Sequence, residues 1–340
     1  MIRLNLETYT LSSSLPDSFV IDNMAGEYVD VHIRVESESV YSTRLYANAG
    51  SCTFYELRQI VEQNMTARGL SLASLVVVVD YGNGTESVTG KYIIFSRYRN
   101  AERSDILFLE SHFLVNRSYY VIPRNRNGSV SFFATAGENI TPYVDCVFDN
   151  GESLRNYRLG QSFSHLNRPN VYSFSLSPSS IKAQVDNIEG GGYGKLLSFT
   201  LHVGQRSITV YVVDDEPCAE FSFCNSFNAQ EKLFVFGTTT LKTEISQKEA
   251  VSMDITSFYD KSVSRKWQVK TVPLTLEEAR WYNEFLESDH VTIVLNQEYN
   301  QVPVLISDIT SEISDSSKDQ VHIKFSWRFE DNGNYLIQNL

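Results

Sequence analysis

Four groups of residues in this 340-residue chain could carry chemistry: six histidines, four cysteines, an acidic run and a glycine run. A metal site needs imidazoles or thiolates that converge at ligating spacing. His32, His202 and His322 each fall on the polar side of an alternating stretch, so each is expected to face solvent in a different part of the fold. His112, His165 and His290 lie in or near loop sequence with no neighbouring ligand. Cys218 and Cys224 are the closest thiol pair, with five residues between them, which fits neither a Cys-x-x-Cys redox motif nor a common zinc knuckle. With Cys52 and Cys146 they read as buried or half-buried free thiols. Asp214-Asp215-Glu216 supplies oxygens but no loop to wrap a cation, and reads as a solvated linker. Gly190-Gly191-Gly192-Tyr193-Gly194 lacks the Lys-Ser/Thr of a phosphate-binding loop and reads as a loop tip or hairpin end. No Gly-x-Ser-x-Gly elbow is present, and the carboxylates scatter over turn sequence without a preferred pair. The expectation is a protein that is not an enzyme, with no catalytic, cofactor-binding or metal-ligating residues and no cofactor.

The elements that would position any site are mostly strands. Val29–Val35, Leu197–Val203 and Val321–Phe329 alternate apolar and polar residues with period two, the pattern of a half-buried strand. Asn-Gly pairs at 83–84, 127–128, 150–151 and 332–333 are turn signals, and the first predicts a hairpin between Leu75–Tyr81 and Tyr92–Tyr98. Two segments are predicted to be short α-helices. Thr53–Arg68 opens on a Thr53/Glu56 capping box, carries Leu57, Ile60, Val61 and Met65 at helical spacing, and stops at Gly69. Thr275–Ser288 opens on Thr275/Glu278 and carries Ala279, Tyr282, Phe285 and Leu286.

Composition agrees with this fold class. Phe and Tyr number 20 and 19 against 4 Met, and aromatic side chains suit the pleated face of a sheet. The fold expected is mainly β, with multi-domain β-sandwich or barrel modules. Composition shifts divide the chain into a polar arm (1–27), a β-domain with one helix (28–120), a β-sandwich-like domain without a helix (121–217) and a second β-domain with one helix (218–340). All three tryptophans fall in the last part, with Trp267 and Trp327 on apolar strand faces and Trp281 on the helix. The net charge of −12 disfavours coating of nucleic acid by long-range repulsion. The local basic excess of Arg97, Arg99, Arg103, Arg117, Arg124 and Arg126 reads as a strand-end or interface feature. The amino-terminal alternation is not a secretory signal, and no apolar stretch approaches the roughly 20 residues of a membrane helix. Cytoplasmic synthesis is therefore expected, with no membrane segment.

The carboxy-terminal pattern is the most informative. Phe221–Phe227 leads into Glu231–Gly237, short strands at Lys242–Ile245 and Val251–Ile255 follow, then Arg265–Thr271, the helix and the closing Trp327-Arg328-Phe329. This order resembles structural tail or baseplate proteins of Bacteroidetes phages and prophages, of distal-tail or tail-tube type. The stretch from Val29 through Phe113-Leu114 is similar to the first domain of such chains. The resemblance implies a non-enzymatic virion component. Its partners would be copies of itself and other tail or baseplate proteins, and it would reside in the assembled tail particle. The rival reading is a cell-surface adhesin or glycan-binding β-sandwich, with loop aromatics such as Tyr172 or Tyr193 stacking on sugar.

Overall fold

The computed structural model describes residues 1–100, 104–163, 167–187, 192–252, 255–295, 300–311 and 321–331. The chain is a multi-domain, mainly β protein of sandwich type, with four α-helices among the described residues.

The first body runs through β1 (Ile2–Arg3), β2 (Tyr9–Leu11), β3 (Ser18–Ile21), β4 (Tyr28–Val35), β5 (Glu38–Tyr46), β6 (Cys52–Tyr55), α1 (Leu57–Ala67), β7 (Leu72–Asp80) and β8 (Thr85–Ile94). Its sheets are ordered β1-β3-β6 and β2-β8-β7-β4-β5. Alternation does what the sequence implies: Val29, Val31, Ile33 and Val35 of β4 are buried beside Ala73, Leu75, Val77 and Val79 of β7. The Asn83-Gly84 hairpin forms, with Asp80 opposite Thr85. Residues 1–27 are woven into this body, because β2 pairs in parallel with β8 and β3 pairs with β6.

The first helix starts later than its sequence suggests. Thr53 lies in β6 opposite Val20, so its hydroxyl caps nothing. Glu56 takes a left-handed conformation (φ 67°) and α1 begins at Leu57, whose N–H donates to the Asp17 carbonyl at 3.0 Å. Strand pairing outcompetes the capping box here. Gly69, at φ +61°, ends the helix as expected.

After α2 (Asp105–Ser111), the second body contains β9 (Tyr119–Pro123), β10 (Gly128–Ala134), β11 (Tyr143–Phe148), β12 (Ser153–Arg158), β13 (Asn170–Leu176), α3 (Pro178–Asp186), β14 (Leu196–Val203) and β15 (Arg206–Val213). The order of its main sheet is β12-β11-β14-β15-β9, faced by a β10-β13 ribbon. β9 runs parallel to its neighbour β15, which follows it by some ninety residues in the chain. Two helices, α2 and α3, join the two that the sequence predicted. For α3, Ser177 accepts the Ser180 N–H as the cap, Pro178 sits in the first turn, and Ile181 and Val185 are buried. Leu197, expected to face inward, is exposed. A bulge between Val147 and Phe148 brings Leu196 into register instead.

The third body contains β16 (Ala219–Cys224), β17 (Gln230–Val235), β18 (Gly237–Ser252), β19 (Ile255–Thr271), α4 (Leu276–Leu286), β20 (Val291–Leu295), β21 (Asn300–Ser311) and β22 (Ile323–Phe329), in one sheet ordered β17-β16-β20-β21-β22-β19-β18. The expected short strands at 242–245 and 251–255 belong to one long hairpin, β18–β19. Its first residue, Gly237, has φ +153°, and a Cβ there would lie 2.1 Å from the Lys270 carbonyl oxygen. Trp267 and Trp327 stack with centroids 4.3 Å apart at 7°. The capping box at the start of α4 forms in full, and the Thr275 hydroxyl also meets Tyr119 Oη at 2.8 Å. Thr275→Ala is therefore expected to cost about 1 kcal/mol, read as a lower midpoint in urea unfolding. An unchanged midpoint would show that the cap contributes nothing.

Candidate interaction surfaces

The three bodies meet around a small apolar cluster of Leu11, Ile94, Leu109, Leu114, Phe133, Phe227 and Ala229. Polar side chains lock this joint. Glu231 points inward from β17, where Leu233 and Val235 are its same-face neighbours, and it is 1% exposed. Its carboxylate accepts from Tyr120 Oη at 2.6 Å, Trp281 Nε1 at 2.9 Å and Asn225 Nδ2 at 2.9 Å. It thereby ties β9, α4 and the β16–β17 turn together. Burial pushes the Glu231 carboxyl above its ordinary pKa, while the nearby Arg117 guanidinium and the three donors pull it back down. The Arg117 guanidinium lies 3.7 Å from the Trp281 ring centroid and 4.1 Å from that of Tyr120. Glu284 of α4 is also buried and raised, first by burial and then by the Glu231 charge, while Asn116 and Ser226 pull it back down.

Arg206 plays the matching role on the other side of the joint. It is 2% exposed and donates from Nε to the Leu109 carbonyl at 3.0 Å and from Nη2 to the Phe133 carbonyl at 2.7 Å. Asn228, at the β16–β17 turn, donates to the carbonyls of Met65 and Leu70 at 3.3 Å. Arg97 reaches Asp289 of the third body at 3.8 Å.

The second surface is the β18–β19 hairpin. β22 pairs with β19 only over Trp267–Lys270, so among the described residues no second strand pairs with residues 255–266 of β19, although Lys266 at its base forms an ion pair with Asp308 of β21. That leaves a two-stranded ribbon of roughly 40 Å at about 3.3 Å per residue. Leu241 lies opposite Trp267 and Ile245 opposite Val263, so these side chains share a face. Phe258, opposite Glu249 beyond a bulge, returns to the same face. Leu241, Ile245, Val263 and Phe258 are between 49% and 60% exposed. An apolar row thus runs outward from the buried tryptophan pair. The hairpin sequence 237–271 carries six basic and four acidic residues, whereas the rest of the chain carries 23 basic against 37 acidic.

The residues singled out in the sequence do not converge. His32 bonds Ser42 at 2.8 Å, His202 meets Asp145 at 3.2 Å, and His322 meets the Thr271 carbonyl at 3.0 Å, each in a separate place. His112 stacks on Phe108, and His165 lies outside the described residues. Among the described residues, no group of three or more His, Cys, Asp or Glu side chains could hold a metal ion. The four cysteines are free, and burial pushes the Cys146 thiol up to about 12. The acidic run and part of the basic excess answer one another: Arg124 pairs with Asp214 at 2.6 Å and Arg126 with Glu216 at 3.2 Å. Gly190, Gly191, Arg103 and Asn332-Gly333 lie outside the described residues. The tyrosines offered for sugar stacking are half-buried: Tyr193 stacks on Phe148 at 4.8 Å, and Tyr172 packs on Phe163 at 5.2 Å. Sequence reasoning missed Glu231 and Arg206, although a charged residue at the inward position of an alternating strand marks both.

Among the described residues, no helix is long and apolar enough to cross a membrane. No family model and no curated protein matches the chain. Among solved structures it is similar to the full extracellular region of plexin A4, with 10% identity and a TM-score of 0.22. That alignment covers 98% of this chain and 37% of that one, so the chain spans little more than a third of the plexin region. At that score the likeness bears on neither fold nor function.

Proposed function

We propose that the protein is a non-enzymatic structural component of a phage-derived tail or baseplate assembly and that the β18–β19 hairpin is its docking element. The observation that carries the reading is the exposed apolar row on a ribbon that is two-stranded over most of its length among the described residues. A two-stranded ribbon is marginal in water by itself, and a long open edge invites another strand. The occupant that fits is a second copy of this chain. The ribbon carries a basic excess while the remainder of the chain is strongly acidic, so the two surfaces attract. Such a contact joins unlike patches, and repetition of it closes a ring. The polar joint suits the same role, because it fixes the direction in which the ribbon leaves the body.

The test is light scattering on the full chain after size exclusion, over a range of concentration and salt. The expected result is a discrete oligomer that dissociates as salt rises. A variant combining Leu241→Ser, Ile245→Ser, Phe258→Ser and Val263→Ser should be monomeric with an unchanged melting temperature. A wild-type chain that stays monomeric throughout, or a variant that assembles like wild type, overturns the proposal.

A further inference from the structure

The joint borders a half-open cleft of about 980 Å³ whose wall takes residues from all three bodies. This size is within the range of small-molecule sites. Three arginines from separate segments line it: Arg99 after β8, Arg117 before β9 and Arg280 on α4. In a chain with a net charge of −12, carboxylates are plentiful, and Arg44, Arg58, Arg97, Arg124 and Arg126 each have one. Arg99, Arg117 and Arg280 have none within 4 Å among the described residues. The Arg117 fork is held in place by the Tyr120 and Trp281 rings and by donation from Nε to the Tyr119 carbonyl. Among the described residues its Nη1 is buried without an acceptor. Glu277, the acidic residue in the wall, is already occupied by the Ser118 hydroxyl at 2.8 Å and the Ser118 N–H.

An aromatic platform completes the wall. Phe108 stacks on His112 at 4.8 Å and on Phe227 at 6.1 Å, and Tyr98 is half exposed beside them. Planar guanidinium forks match phosphate oxygens in pairs, and aromatic faces suit a flat heterocycle. Arg117 already faces the buried Glu231 carboxyl, so Arg99 and Arg280 are the uncompensated cations of the wall, beside the hydrogen-bonded Glu277 carboxylate. We infer that the cleft binds a nucleoside di- or triphosphate, its phosphates on Arg99 and Arg280 and its base on the Phe108–His112 platform.

The inference is independent of the hairpin, so the test uses both wild type and the four-serine hairpin variant. Isothermal titration with adenosine triphosphate and with pyrophosphate reads the affinity, and differential scanning calorimetry reads folding. The expected result is saturable 1:1 binding of the nucleotide to both proteins, at least tenfold tighter than that of pyrophosphate. Arg99→Gln combined with Arg280→Gln, both at exposed positions, should weaken it at least tenfold without shifting the melting temperature. If that double variant melts lower, Arg280→Lys, which keeps the charge and loses the fork, should still weaken nucleotide binding. Absence of saturable binding, equal affinity for pyrophosphate, or arginine variants that bind like wild type would each overturn the inference.

Discussion

Glu231→Ala is expected to remove about 3–5 kcal/mol of stability, the cost of breaking a buried charged network from one side. The alanine leaves Tyr120 Oη, Trp281 Nε1 and Asn225 Nδ2 without their acceptor in a site closed to water. Arg117 loses the nearby negative charge at the same time. Urea unfolding followed by tryptophan fluorescence reads the loss directly, since Trp281 is one of the donors. Glu231→Gln should lose less. Its Oε1 still accepts from Tyr120 and Trp281, and only the contact with Asn225 Nδ2 becomes donor against donor.

The same residue sets a pH dependence. Burial raises Glu231 and Glu284, so the folded state holds these protons more tightly than the unfolded chain does. Their contribution to stability is full below the ordinary carboxylate pKa and is lost as pH rises through the raised folded value. Asp145 runs the other way: the Asn156 N–H holds its carboxyl below the usual range, so its contribution fades as pH falls through that depressed value. Glu231→Gln should therefore flatten the fall in stability as pH rises above the ordinary carboxylate range. A profile with the wild-type slope would mean that Glu231 does not titrate there.

The second large effect is Trp327→Ala, expected to cost about 3–5 kcal/mol. The residue is fully buried, stacked on Trp267, and packed at an edge against Phe221 with centroids 6.0 Å apart. Trp327→Phe should cost less, since the indole N–H has no acceptor among the described residues and its removal relieves an unpaired donor. Because Trp327 and Trp267 pair across β19 and β22 at the root of the hairpin, the alanine variant should also weaken self-association. An unfolding midpoint equal to wild type would remove Trp327 from the structural core.

What the sequence disclosed follows from the range of each interaction. Strand faces such as Val29–Val35 and the five inward residues of Val321–Phe329 are local patterns and read correctly. The two Thr-x-x-Glu boxes look alike, yet only Thr275 caps a helix, because Thr53 is claimed by pairing with a strand over thirty residues earlier. The Ser177-Pro178 start of α3 carried an ordinary capping signal and was still overlooked, since the loop-rich composition around it hid a short helix. The length of β18–β19 was hidden by its polar, Thr- and Lys-rich face, which reads as several short pieces. Glu231 and its partners lie 50 and 111 residues apart, so no spacing rule could assemble them.

The parallel seam between β9 and β15 also constrains how the protein is made. The sheets of β1–β8 close entirely within residues 2–94, so that part can fold on the ribosome as soon as it emerges. The strand at 119–123 must instead wait until residues 209–213 have been synthesised. During that delay its edge is bare while the nascent chain lengthens. Pausing of translation between these segments would therefore expose a sticky half-sheet, and synonymous codon changes there should alter soluble yield without changing a single amino acid.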